Sequence, residues 1–139
     1  ITNLIQHKHA ESKSHQYIKG IVENAAKGIF QGKVKVFQDA QKTNAYQFNQ
    51  NLLLSENAEV SIKPELEIYA DDVKCSHGVT TGELDKEMLF YLRSRGLTLD
   101  ESRNLLIEGF INELMEDIKN KEIKRKLLIT SKNWLKKKN

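Results

Sequence analysis

The sequence predicts a mainly β chain that ends in a small α-helical unit. Three observations carry that expectation. Short segments of alternating apolar and polar residues recur from about residue 15 to residue 77. Near Gly82 the apolar spacing changes from the period of a strand to that of a helix. The tight-hairpin dipeptides Asn-Gly and Asp-Gly are absent.

The first clear strand lies in Ile29–Phe37, which alternates over its second half. Tyr46–Leu52 alternates and then passes into the aliphatic run Leu52–Leu54. Val60-Ser61-Ile62 and Leu66-Glu67-Ile68-Tyr69-Ala70 alternate again, and Val73 and Cys75 continue the pattern past Asp71 and Asp72. Segments centred on Ile21, Val34, Leu52 and Ile68 recur with a loose, uneven spacing rather than a strict repeat. Two architectures fit such strands: an antiparallel sandwich or meander, and a solenoid of stacked turns. The missing hairpin dipeptides favour the solenoid. So do the amides Asn44, Gln47, Asn49, Gln50, Asn51 and Asn57, because side-chain amides ladder when like turns stack.

After Gly82 the chain reads as helix. Asp85 caps a helix starting at Lys86, with Met88, Leu89 and Leu92 on one face. Gly96 suits the C′ position, where positive φ is needed. Thr98 and Glu101 form a capping box for a second helix carrying Leu105, Leu106, Phe110, Ile111, Leu114 and Ile118. A third helix runs from about Lys121 into Lys136–Lys138, with Ile123, Leu127, Leu128 and Trp134 apolar. The expected organisation is therefore a β unit over 1–82 and a helical unit over 83–139.

Composition sets bounds on function. Of 139 residues, 39% are apolar and 29% charged, so the core is thin and the surface heavily solvated. The longest aliphatic runs are three residues, such as Leu52–Leu54, far short of the roughly 20 that a membrane span needs. No apolar stretch follows a basic start, so no secretory signal is expected. The single cysteine, Cys75, excludes an internal disulfide framework and fits a reducing, cytoplasmic setting. A chain opening at Ile1 is expected to be a piece of a longer protein. Net charge is +3, but residues 119–139 hold 9 basic groups and 1 acidic group. Such a tail can bind nucleic acid or anionic lipid, yet no aromatic or glycine-rich binding pattern accompanies it. A solvated helix end is the simpler reading, so neither nucleic acid nor membrane is expected as a partner.

Common catalytic motifs are missing. There is no phosphate-binding Gly-x-x-x-x-Gly-Lys-Ser/Thr, no Gly-x-Ser-x-Gly, no His-Glu-x-x-His and no Cys-x-x-Cys. What remains is Lys74-Cys75-Ser76-His77-Gly78. On an extended backbone Cys75 and His77 project to one face. A thiolate and an imidazole there can ligate Zn²⁺ or an iron–sulfur species, but two ligands are half a tetrahedral set. A small buried cysteine beside a polar turn histidine is the plainer alternative. A cysteine nucleophile with His77 as its base would also need a lowered thiol pKa and an oxyanion hole, of which the sequence shows no sign. Asp71 and Asp72 point to opposite faces and read as a strand end or bend. His7 and His9 read as a surface pair.

At these residues the chain resembles a known family. The matching text is Ala40-Gln41-Lys42-Thr43, Gln47–Leu54, Lys63–Gly78 and Phe90–Gly96. It is similar to the carboxy-terminal part of the SufB/SufD family of the SUF iron–sulfur cluster assembly system. The Cys-Ser-His-Gly text is on the SufD side of that family; the SufB side carries a His-Glu-Ala-type pattern there. The similarity runs from about residue 28 to residue 118.

The resemblance implies a right-handed parallel β-helix, here truncated, followed by a helical domain. It implies a non-catalytic scaffold subunit rather than an enzyme. It further implies pairing with SufB through the β-helix sheets and binding of the ATPase SufC through residues 83–139, with Phe90, Tyr91, Arg93 and Arg95 as candidate contacts. His77, with Cys75 beside it, would contribute to the place where a transient iron–sulfur cluster forms at the SufB interface, and no tightly bound cofactor is expected. A free sheet edge would also let the isolated chain form a homodimer.

Overall fold

The computed structural model describes residues 1–136, which fall into two compact units divided between Gly82 and Glu83. The Lys137–Lys138 end of the expected third helix lies outside the described residues.

The first unit is made of strands β1 (Thr2–His7), β2 (Lys13–Val22), β3 (Lys27–Val36), β4 (Asn44–Leu53), β5 (Glu59–Ile68) and β6 (Lys74–Glu83). Consecutive strands do not pair. Odd strands form one sheet in the order β1-β3-β5, and even strands a second in the order β2-β4-β6. The pairs β1–β3, β2–β4 and β3–β5 are parallel. The meander reading is excluded, since parallel neighbours cannot be joined by hairpins. The registers are nearly constant: Thr2 stands beside Gln31, Lys13 beside Asn44 and Lys27 beside Glu59. The loose spacing in the sequence is thus the step from one sheet to the other, and two such steps make the true repeat.

The corners repeat as well. Glu11 and Lys42 both take positive φ, at 59° and 61°. Each donates its backbone N–H to the next layer, Glu11 to the Gln41 carbonyl and Lys42 to the Asp72 carbonyl. Residues 59–68 form one strand, although the alternation breaks at Lys63-Pro64. The proline is tolerated because β5 is an edge strand. Bonds from the Glu59 N–H to the Ala26 carbonyl and from the Tyr69 N–H to the Val36 carbonyl set the odd positions toward β3, so the nitrogen of Pro64 faces the open edge.

The interior of this unit has two kinds of lining. Val34, Val36, Ala40, Ala45 and Ala70 form an aliphatic cluster, with Leu66, Val73 and Cys75 packed on it. Gln16, Gln47, Asn49 and Asn51 are buried too. Two glycines make room for these amides. A Cβ on Gly20 would collide with Asn51 Oδ1, and one on Gly32 would collide with Gln47 Nε2.

The second unit holds α1 (Lys86–Ser94), α2 (Leu99–Glu116) and α3 (Lys121–Lys136). Their ends follow the local signals. Asp85 Oδ1 accepts from the backbone of Glu87 and Met88, and Gly96 has φ +98°. Thr98 and Glu101 make the reciprocal capping box. Asn120 caps α3 through Glu122 and Ile123. The buried face of α2 differs from the expected one. Ser102, Ile107 and Met115 are buried, whereas Leu105 is 49% exposed. The cause is that α2 carries apolar residues around much of its circumference, so spacing alone does not single out one stripe.

Candidate functional site

Cys75 and His77 lie on β6, the strand beside β4. Lys74 N–H donates to the Thr43 carbonyl, as Asn44 N–H donates to the Ser12 carbonyl where β4 meets β2. In that register Cys75 stands beside Ala45 and His77 beside Gln47. Two other contacts agree. A Cβ on Gly78 would lie 2.8 Å from the Phe48 ring, and Asn51 Nδ2 donates to the Thr80 carbonyl at 3.3 Å. Glycine at 78 is thus explained by the close approach of an aromatic ring.

Alternation gives the two candidate ligands their face. Cys75 is half-buried against the aliphatic cluster. His77, two residues further on, follows the same face and is exposed. Burial pushes the Cys75 thiol above its ordinary value, against a smaller opposing effect from the Ala45 backbone. A raised thiol is a poor nucleophile at neutral pH, because the thiolate is the reactive form. A soft metal centre reverses that, since binding displaces the thiol proton.

The donor set is soft sulfur plus imidazole, which suits an iron–sulfur species or Zn²⁺. It is incomplete. Among the described residues no group of three or more His, Cys, Asp and Glu side chains could hold a metal ion. Asp71 and Asp72 sit in the bend before β6, and the Asp72 N–H donates to Gln41 Oε1 at 3.0 Å, so they serve the corner. His7 is not the surface residue its polar surroundings suggested. It is 5% exposed and its Nε2 lies 2.8 Å from Ser14 Oγ, because it ends β1 facing inward. Burial lowers its pKa.

The expected amide ladder is present in part. Gln47 Nε2 donates to Gln16 Oε1 at 2.6 Å across the β2–β4 pair. Asn51 Nδ2 donates to Asn49 Oδ1 at 2.7 Å, and Gln50 Oε1 accepts from the Tyr17 hydroxyl. Asn44 and Asn57 are exposed. On the outer face of the same sheet, rings pack in tilted cross-strand pairs: His15 against Tyr46 at 5.1 Å and Tyr17 against Phe48 at 5.5 Å between centroids. The sequence held the signal for both, since the two members of each pair are in register and so are separated by the same stretch of chain.

In the helical unit the four candidate partner contacts cluster on and just after α1. Phe90 is 76% exposed and Tyr91 51%, so neither is core. Arg93 and Arg95 are exposed, and the Arg95 guanidinium lies 5.4 Å from the Tyr91 ring centroid. No helix is long and apolar enough to cross a membrane among the described residues.

Comparison with known proteins identifies the surroundings of this site. The family described as SUF system FeS cluster assembly, SufBD core domain, matches residues 1–110. The chain is 43% identical over 124 residues to the iron–sulfur cluster assembly protein SufD of Escherichia coli, covering 89% of this chain and 29% of that protein. It is 49% identical over 110 residues to a SufBD family protein of Synechocystis, covering 79% and 24%. It is 44% identical over 117 residues to the chloroplastic protein ABCI7 of Arabidopsis thaliana, covering 84% and 25%. The chain thus spans well under a third of the length of these relatives.

Proposed function

This chain belongs to the SufBD core-domain family of SUF iron–sulfur cluster assembly, and from that premise we propose that it is part of a SufD-like, non-catalytic scaffold on which a cluster is built. Residues 1–82 would be the last turns of a right-handed parallel β-helix. The alternation of parallel strands between two sheets supports that reading. The cluster is cargo, held transiently and passed on.

The single observation that carries the proposal is the placing of Cys75 and His77 on one face of the last strand, with His77 exposed. Two donors presented at an open edge are a half-site. A second protein that meets this edge can supply the remaining ligands, and in this family the partner of matching chemistry is SufB. ATP hydrolysis would lie with SufC, docked on the helical unit. Exposed Phe90 and Tyr91 beside Arg93 and Arg95 supply the aromatic and arginine anchors that protein interfaces favour. The raised thiol of Cys75 disfavours the alternative of a cysteine enzyme.

The test is His77→Ala in the complex with SufB and SufC. Cluster assembly, followed by its visible absorption, should fall at least about tenfold, the scale expected when a metal site is impaired. Co-purification of both partners and the far-ultraviolet circular dichroism should stay unchanged. Assembly at the normal rate in this variant would overturn the reading of the site.

A further inference from the structure

The inner face of the second sheet poses an accounting problem. Gln47 is 1% exposed and Gln16 9%. Buried amide atoms without partners are destabilising, so each should be paired. Gln47 Nε2 and Gln16 Oε1 satisfy each other at 2.6 Å. Gln47 Oε1 and Gln16 Nε2 are left with no partner among the described residues. The carboxamide of Gln47 has little room to turn elsewhere, because Gly32 of the facing sheet closes on its nitrogen so tightly that even an added methyl there would collide with it. Its in-register neighbours on the same face are Gln16 of β2 and His77 of β6. Gln16 turns its oxygen toward Gln47, which turns its own nitrogen away from that amide. The oxygen left over can only accept, and on the side away from Gln16 the in-register rung placed to donate to it is His77.

We propose that Gln47 is a positioning residue for His77: its Oε1 accepts the N–H of the imidazole when that ring turns inward, which decides the nitrogen that carries the proton and leaves the other free as a ligand. This rests on the reading of His77 as a cluster ligand. Metal-binding histidines ordinarily donate their second ring nitrogen to such a fixed acceptor, which sets tautomer and ring orientation together. Here the acceptor is a buried amide held by a neighbouring amide and by a glycine, so it is preorganised before any metal arrives.

The experiment measures tautomers, with no cluster present. Long-range proton–nitrogen correlation spectra of the ¹⁵N-labelled chain, recorded where the imidazoles are neutral, report each histidine, and His77→Ala assigns the signal. One tautomer should dominate at His77 in the unsubstituted chain. Gln47→Leu should move the ratio of tautomers about fivefold toward a mixture, the scale of one net hydrogen bond. Gln47→Glu keeps an acceptor, and the Gln16 amide can turn over to donate its Nε2 to it, so the dominant tautomer should be restored. A mixture at His77 in the unsubstituted chain overturns the proposal even where Gln47→Leu fails to fold. So does a dominance that survives Gln47→Leu, which would leave the Gln47 oxygen to a buried water. Normal cluster assembly in His77→Ala, with the tautomer still answering to Gln47, would sink the site reading and spare the positioning.

Discussion

In the strand unit, a side chain's cross-strand partners lie one full two-strand repeat away in sequence; in the helical unit the partners that cap α1 and α2 lie two or three positions away. Gln47 meets Gln16, Lys35 meets Glu67 and Tyr17 meets Phe48 across strands. Thr98 meets Glu101, and Asp85 meets Met88, within one turn of helix. The two units are therefore vulnerable in different ways. A strand side chain is confined by layers on both sides and by the facing sheet. A helix end depends on its own local sequence and tolerates change elsewhere.

Glycine makes the contrast sharpest. Gly32→Ala would drive a methyl into Gln47 Nε2 and to 2.7 Å from the Phe30 ring. Urea unfolding of the strand unit should show a loss of about 3 kcal/mol, at the upper end for overpacking. The opposite sign is expected at Gly109, which lies within α2 with nothing near its missing Cβ. If Gly32→Ala proves harmless, the close approach of the two sheets at Gln47 is wrong.

Val36→Ala is the next largest effect. Val36 is fully buried in the aliphatic cluster, and its truncation should cost about 2 kcal/mol through lost burial and a residual cavity. In the helical unit Thr98→Ala should cost only about 1 kcal/mol, the worth of an N-cap. Gly109→Ala should stabilise α2 by up to about 1 kcal/mol. Helix content followed by circular dichroism would check both. Equal losses for Val36→Ala and Thr98→Ala would blur the distinction between the units.

The smallest effect is electrostatic. Lys35 Nζ at 2.6 Å, the Tyr69 hydroxyl at 2.6 Å and Lys33 Nζ at 3.3 Å hold the Glu67 carboxyl down to about 2. A carboxyl depressed on folding stabilises the folded state above its ordinary value of 4.5 and loses that contribution as pH falls through about 2. The difference in melting temperature between the unsubstituted chain and Glu67→Gln should therefore be largest near neutrality and shrink between pH 4.5 and 2. These charges are partly exposed to solvent, so salt should weaken their pairing as well. A difference independent of pH would remove Glu67 from the account.

Much of this was legible in the residues themselves. The switch of period near Gly82, the Asp85 and Thr98 caps and the positive φ of Gly96 all follow from local rules. The Cys75-Ser76-His77 alternation placed two donors on one face before any fold was known. Other features were not legible. His7 read as a surface residue because its neighbours in sequence are polar, yet its neighbours in space bury it. The full length of β5 was not read either, because the alternation stops at Lys63-Pro64 and the pattern does not reveal which strand is an edge.

Local chemistry in the chain was enough to place strands from about residue 15 and helices after Gly82, to mark where α1 and α2 begin and α1 ends, and to put Cys75 and His77 on one side of one strand; the strand β1 lay outside that reading. Which strand lies beside which needed the packed layers. Their stacking set Gln47 between Gln16 and His77, and it opened room for that amide at Gly32. The reason is range. Caps and alternation are set by residues within a turn or a few positions. Parallel pairing joins residues a whole repeat apart, as Gln16 and Gln47 are, and is fixed by how complete layers stack.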